Sequence, residues 1–178
     1  MNALLRRKPT LVLFTRATLA TLVASALLGC APPAYPQSMA HHLLGRPLPE
    51  MRTREWLNGG PIEMADLHGK VVVIKFFADY CAPCKETLPA AERVHASHAG
   101  VVFIGVSEDD AREKVNKAIA EFGLTFPVIF DRSQMISGKF RVREMPRTFV
   151  ADKSGVVRWI GGEGQSEADL AQAIEAAK

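Results

Sequence analysis

The feature that most constrains this chain is a strand of buried character running directly into two cysteines two residues apart. Val71 to Phe77 is a β-branched and aromatic run bounded by Gly69-Lys70, and it reads as a central strand. Cys81-Ala-Pro-Cys84 follows, and Ala82 to about His98 reads as a helix, with Leu88, Ala91 and His95 at helical spacing and Pro89 expected to bend it. This order places Cys81 at the N-terminus of the helix. Free N–H groups and the positive end of the helix dipole favour a thiolate there, and the thiolate is the attacking species in thiol–disulfide exchange. Pro83 suits the first turn, where its missing N–H costs nothing. Cys84 lies one turn on, within reach of a mixed disulfide on its neighbour. Cys81 is therefore the expected nucleophile and Cys84 the expected resolving thiol.

The rest of the chain alternates. Val101 to Val106 reads as a second buried strand, Asp109 to Phe122 as an amphipathic helix stopped by Gly123, Pro127 to Phe130 as a short strand and Ser133 to Phe140 as a short helix. Thr148 to Ala151 and Val156 to Ile160 are strands joined by the turn Asp152-Lys153-Ser154-Gly155. Ser166, with Asp169 three residues on, opens a last helix. Upstream, Asn58-Gly59-Gly60-Pro61 is a turn signal, and Ile62-Glu63-Met64 is expected as a short strand of an N-terminal hairpin. The order predicts an α/β sheet with helices on both faces and an antiparallel closing edge.

The N-terminus carries an address. Arg6, Arg7 and Lys8 precede an apolar stretch from Ala17 to Leu28, the pattern of an export signal over residues 1–29. A permanent spanning helix is the alternative, weakened by Arg16 within the run from Leu11. The segment holds four cations and no acid, so without it the formal charge of +3 becomes −1. The basic balance thus belongs to the leader and gives no reason to expect nucleic acid as a partner. Leu27-Leu28-Gly29-Cys30 resembles a bacterial lipobox, which implies lipidation of Cys30 and a membrane-surface anchor outside the cytoplasm. An ordinary signal peptide with a coincidental cysteine is the other reading. Residues 30–44, rich in proline at Pro32, Pro33 and Pro36, are expected as a flexible tether, and residues 45–178 as the folded domain. With Cys30 set aside, the three cysteines leave one pair. A pair this close makes a poor staple, because loop-closure stabilisation grows with loop length. In an oxidising compartment it reads as redox-active.

Half of a zinc site is the competing structural reading of the pair. Zinc needs four ligands, and His95 and His98, the nearest histidines, lie on the same helix as the cysteines, so no metal is expected. No other cofactor is implied. His41, His42 and His68 have no metal partner at diagnostic spacing, Trp56 and Trp159 read as packing residues, and Glu108-Asp109-Asp110 reads as an acidic helix start.

The stretch Lys70 to Pro89, containing Phe77-Ala-Asp-Tyr-Cys-Ala-Pro-Cys84, resembles the active-site segment of thioredoxin-like redoxins of the TlpA/ResA type. Phe122-Gly-Leu-Thr-Phe-Pro127 and Met145-Pro-Arg-Thr-Phe-Val-Ala-Asp-Lys-Ser-Gly155 resemble that family's later landmarks, and the likeness covers about residues 45–175. It implies a thioredoxin fold: a central mixed sheet flanked by helices, with an N-terminal hairpin extension and a β/α insertion before the cis-proline strand. It also implies that Pro146 follows a cis bond and faces the cysteine pair, and that the backbone of Met145 pairs with an incoming substrate strand. A plain strand-entry proline is the simpler reading of Pro146. Three positions depart from the pattern. Tyr80 stands where tryptophan usually precedes the first cysteine and keeps an aromatic wall. Thr87 stands where a glutamate is common, and the adjacent Glu86 is turned about 100° around the helix. Lys75 stands where thioredoxin has a buried acid. It is read either as a cation beneath the cysteines, lowering a thiol pKa or accepting a proton, or as a side chain snorkelling out to Glu63.

These residues lead to a lipid-anchored thiol–disulfide oxidoreductase facing the periplasm or the extracellular side. By resemblance it reduces exported proteins with a vicinal cysteine pair, such as apocytochrome c or a copper-site protein. Its electrons are expected from a membrane thiol donor, since the compartment oxidises thiols. A thiol peroxidase is disfavoured because Ala78 stands where peroxiredoxins place Thr or Ser, three residues before the reactive cysteine. A copper-binding assembly factor is the non-enzymatic alternative. Related copper proteins use a CxxxC spacing, and the soft dithiol here would bind Cu(I) in any case.

Overall fold

The computed structural model describes residues 39–178. The expected export signal, Cys30 and most of the expected tether lie outside them. Six strands form one sheet: β1 (Trp56–Leu57), β2 (Val72–Phe77), β3 (Val102–Ser107), β4 (Val128–Phe130), β5 (Arg147–Ala151) and β6 (Val157–Gly161). Four helices accompany them: α1 (Ala82–Ser97), α2 (Arg112–Phe122), α3 (Met135–Phe140) and α4 (Glu167–Ala176). The sheet order is β1-β4-β3-β2-β5-β6. β2, β3 and β4 are parallel, and β1, β5 and β6 run antiparallel to their neighbours. This is a thioredoxin-like α/β fold.

β2 lies at the middle of the sheet, and all six of its residues are buried. Alternation along a strand sends successive side chains to opposite faces. Val73 and Phe77 enter a core with Leu88, Ala91 and Val94 of α1, Val115 and Ala118 of α2 and Leu170 and Ile174 of α4. Val72, Ile74 and Phe76 enter a second core with Ile136 and Phe140 of α3 and Leu43, Leu48, Met51 and Leu67 of the N-terminal segment. In that second core the rings of Phe76, Phe140 and Phe149 pack with centroids 5.0–5.7 Å apart. Unbroken burial of β2 on both faces is why its sequence is continuously apolar, with Lys75 as the one interruption.

Local signals set the helix ends. Gly123 adopts a left-handed conformation (φ 61°) that closes α2. Ser166 and Asp169 form a reciprocal capping box that starts α4. The β/α unit before the Met145-Pro146 strand is present as β4 and α3.

Three expectations are corrected. Among the described residues no N-terminal hairpin forms. Asn58, Gly59 and Gly60 all take positive φ, but the turn they make leads Met64–Leu67 into a 3-10 helix closed by a box between Glu63 and Asp66. Trp56 and Leu57 pair instead with Ile129 and Val128 of β4, as a short edge strand. The ordered chain also begins before Gly45: Met39–Leu43 forms a 3-10 helix, and Leu43 is buried. Gly45 N–H donates to Val157 O at 2.8 Å, which seats this segment on β6. Finally, α2 starts at Arg112 rather than Asp109, because Asp109 is engaged elsewhere.

Candidate active site

Cys81 is the N-cap residue of α1, and its sulfur accepts the backbone N–H of Cys84 at 3.2 Å. Residues with extended backbone at this position leave their side chain beside the free N–H groups of the first turn. The two cysteines are joined by a disulfide with a Cα–Cα distance of 5.3 Å. They are not equivalent: Cys81 keeps 7 % of its surface exposed and Cys84 none. Pro83 occupies the first turn, where it sacrifices no hydrogen bond.

The exposed edge of Cys81 opens onto a groove of about 490 Å³ lined by Tyr80, Pro83, Glu108, Arg143 and Met145 among others. Tyr80 stands out into solvent, 67 % exposed, as one wall. Across from it lies the loop entering β5, with a cis bond between Met145 and Pro146. Pro146 itself is buried and Met145 half-buried. The groove thus brings together Tyr80, Cys81, Pro83 and Met145, with Cys84 bonded to Cys81 and Pro146 following Met145 in the chain. The fold leaves Glu86 on the exposed side of α1 and turns Thr87 inward.

Lys75 is the surprise of the site. It is 1 % exposed, although it carries an amine. Its Nζ donates to Thr87 Oγ1 at 2.9 Å and to Thr148 Oγ1 at 3.3 Å. The Thr87 hydroxyl in turn lies 3.2 Å from Cys84 O and 3.4 Å from Pro83 O, the carbonyls of the first turn. Burial pushes the Lys75 pKa down to about 7, because desolvation penalises the charged form. Glu63 is not its partner, so the snorkelling alternative is set aside. Glu63 belongs instead to the 3-10 turn, where its N–H donates to Asp66.

Two residues that the sequence presents only as part of an acidic helix start belong to the site. Asp109 is buried, and its carboxylate accepts the N–H of Asp79 at 3.0 and 3.1 Å and the Ser107 hydroxyl at 2.8 Å. It therefore ties the end of β3 to the loop that carries Cys81. Glu108 is half-buried in the groove wall with Oε1 unpartnered. Burial raises its pKa, Ser137 opposes the shift by hydrogen bonding, and the nearby Asp131 carboxylate adds to it. One signal pointed here. In a parallel pair the loops after β2 and β3 leave from the same end of the sheet, where sites on α/β sheets form.

Among the described residues no group of three or more His, Cys, Asp or Glu is placed to hold a metal ion. His95 packs between the rings of Phe103 and Phe126, with centroids 5.0 and 5.6 Å away.

Known proteins agree with this geometry. Residues 44–160 match the AhpC/TSA family. The chain is 35 % identical over 114 residues to the thiol-disulfide oxidoreductase ResA of Bacillus thuringiensis, a match covering 62 % of this chain and 66 % of that protein. It is 30 % identical to ResA of Geobacillus thermodenitrificans, over 68 % of this chain and 71 % of that protein. DsbF from MTB, solved in mixed oxidized and reduced forms, superposes with a TM-score of 0.65 at 26 % identity, covering 70 % of this chain and 92 % of that one. A thiol-disulfide isomerase from Corynebacterium glutamicum also gives 0.65, at 27 % identity, over 74 % of this chain and 95 % of that one. The chain belongs to the AhpC/TSA family, and within it groups with the thioredoxin-like thiol–disulfide oxidoreductases.

Proposed function

We propose that this chain is an extracytoplasmic thiol–disulfide oxidoreductase that reduces disulfides in exported proteins, held to a membrane by lipid on Cys30. The reduced enzyme presents Cys81 as a thiolate. That sulfur attacks one sulfur of a substrate disulfide, forming a Cys81–substrate bond and releasing the other substrate sulfur as thiolate. Cys84 then gives up its proton and attacks Cys81 Sγ. The second substrate thiol leaves, and the Cys81–Cys84 disulfide remains. Two electrons have passed to the substrate, and a membrane thiol donor returns them. Pro83 and the first turn hold the nucleophile, Tyr80 and Met145 flank the approach, and the strand entered through Pro146 offers backbone to the substrate. The substrates are exported proteins with a vicinal cysteine pair, such as apocytochromes c or copper-site proteins.

One observation carries this reading: the cysteine that lines the groove sits at the head of a helix and is bonded to a fully buried partner one turn on. A Cys84→Ser variant, unable to resolve, should accumulate mixed disulfides through Cys81 that mass spectrometry can identify. A variant that traps no partner while Cys81 remains alkylatable overturns the reading.

A further inference from the structure

Among the described residues Lys75 is the one fully buried lysine, and the exchange described above gives it no task. It shares its face of β2 with Val73 and Phe77, whose core includes both cysteines. Each element packed around it can be taken in turn. From α1 comes the hydroxyl of Thr87, itself bonded to the carbonyl of Cys84, from β5 the hydroxyl of Thr148, and from β3 the bare backbone of Gly105, in register with Lys75. Arg147 of β5 is in register with Phe76 and so belongs to the other face of the sheet. The remaining charges of α1 are turned outward: Glu92 bonds to Thr125, Arg93 pairs with Glu167, Lys85 reaches Asp79, and Glu86 is exposed. Asp79 and Asp109 lie beyond the ends of β2 and β3, where the Asp109 carboxylate accepts the Asp79 N–H and the Asp79 carboxylate pairs with Lys85 and Lys117. Among the described residues no carboxylate pairs with Nζ; the titratable groups on its side of the sheet are the two cysteines and, further along α1, His95, which packs between Phe103 and Phe126.

An amine with two hydroxyl partners and no counterion is poorly placed to carry charge while the cysteines are bonded and neutral. Reduction changes this, since it creates a sulfur anion in the same core. We propose that Lys75 is the proton store of the redox pair: it is neutral beneath the disulfide, takes up a proton when the disulfide is reduced, and returns it when the disulfide re-forms. The balance is direct. A donor dithiol gives two electrons and two protons. The donor becomes a disulfide and the Cys81–Cys84 bond breaks. One proton goes to Cys84 sulfur and the other to Lys75 Nζ, and Cys81 is left as thiolate. The ammonium and the thiolate then neutralise one another without a solvent ion. In the forward direction the Lys75 ammonium first gives its proton to the substrate thiolate released by Cys81. The neutral amine then accepts the Cys84 proton as that sulfur attacks Cys81, and passes it to the second departing substrate thiolate. Thr87 fixes the geometry, because it receives the Lys75 N–H and sits on the turn that carries Cys84.

This deepens the proposed function and rests on it. The test uses the full chain reduced with dithiothreitol. The Lys75 side chain is followed by NMR chemical shift against pH in both redox states. The expected result is a midpoint at least one pH unit higher after reduction, a tenfold change in proton affinity. Equal midpoints overturn the proposal. As a second readout, Lys75→Gln keeps a donor for both threonines but cannot hold a proton. Its thiolate absorbance at neutral pH should fall about tenfold relative to the wild type, and an unchanged thiolate titration also overturns the proposal. If Lys75→Gln does not fold, the wild-type titration decides alone. A Cys84→Ser variant that still traps partners, alongside unmoved Lys75 midpoints, sinks this inference and spares the function. Failure of that trap sinks the function instead.

Discussion

The carboxylate of Asp109 receives the backbone N–H of Asp79 on both of its oxygens, at 3.0 and 3.1 Å, so that the end of β3 holds the loop leading to Cys81. The same carboxylate accepts the Ser107 hydroxyl at 2.8 Å, and the whole arrangement is buried. Such a bond is modest when made, but a buried donor left without an acceptor is expensive.

Asp109→Ala should therefore destabilise the protein by about 1–3 kcal/mol, read from urea melts of the oxidised form. It should also change the rate at which Cys81 is alkylated after reduction. Asp109→Asn, which retains one acceptor oxygen, should lose less. Equal losses from the two variants would show that the carboxylate does not act as the tie.

Lys75 should give the oxidised protein an unusual dependence on pH. Its folded pKa of about 7 lies below the ordinary 10.5. Below pH 7 both folded and unfolded chains carry the proton, and the folded state bears the full cost of a buried cation. Between these values the unfolded chain binds more proton, so stability rises with pH, on the order of 1 kcal/mol per unit. Lys75→Met should lack this rise. It should be the more stable protein near pH 6, with the difference shrinking towards pH 10. Parallel melting curves for the two proteins across that range would contradict the assignment.

The export reading is checked separately. Cells fed a palmitate analogue should label the wild-type chain and leave Cys30→Ser unlabelled. Wild-type protein that takes up no label would remove the anchor from the proposal without touching the redox chemistry.

Much of the fold could be read from local pattern, and the exceptions share a cause. β2, β3 and α1 were legible because continuous apolar runs and a proline-bearing first turn have few other interpretations. The hairpin was not, because Asn58-Gly59-Gly60 reads as a tight turn between neighbouring strands. In the folded chain the strand before that turn pairs with distant β4, and long-range pairing leaves no local trace. The acidic run at 108–110 reads as a helix start because acids favour that position. Only the fold shows that Asp109 points back to the Cys81 loop. Lys75 was visible as an oddity in a buried strand, but a lysine in sequence does not reveal whether its stem ends in water or among hydroxyls. Thr87 supplied the answer: it stands inward where Glu86 does not, and a threonine there gives the amine a neutral neighbour.

The unequal exposure of the two sulfurs also limits what this protein can act upon. Cys84 is sealed, and Cys81 shows only an edge at the bottom of a groove. A client must bring its disulfide to the enzyme on a chain thin enough to enter. Bridges locked inside a finished fold are out of reach, whereas those on unfolded polypeptides and protruding loops are accessible.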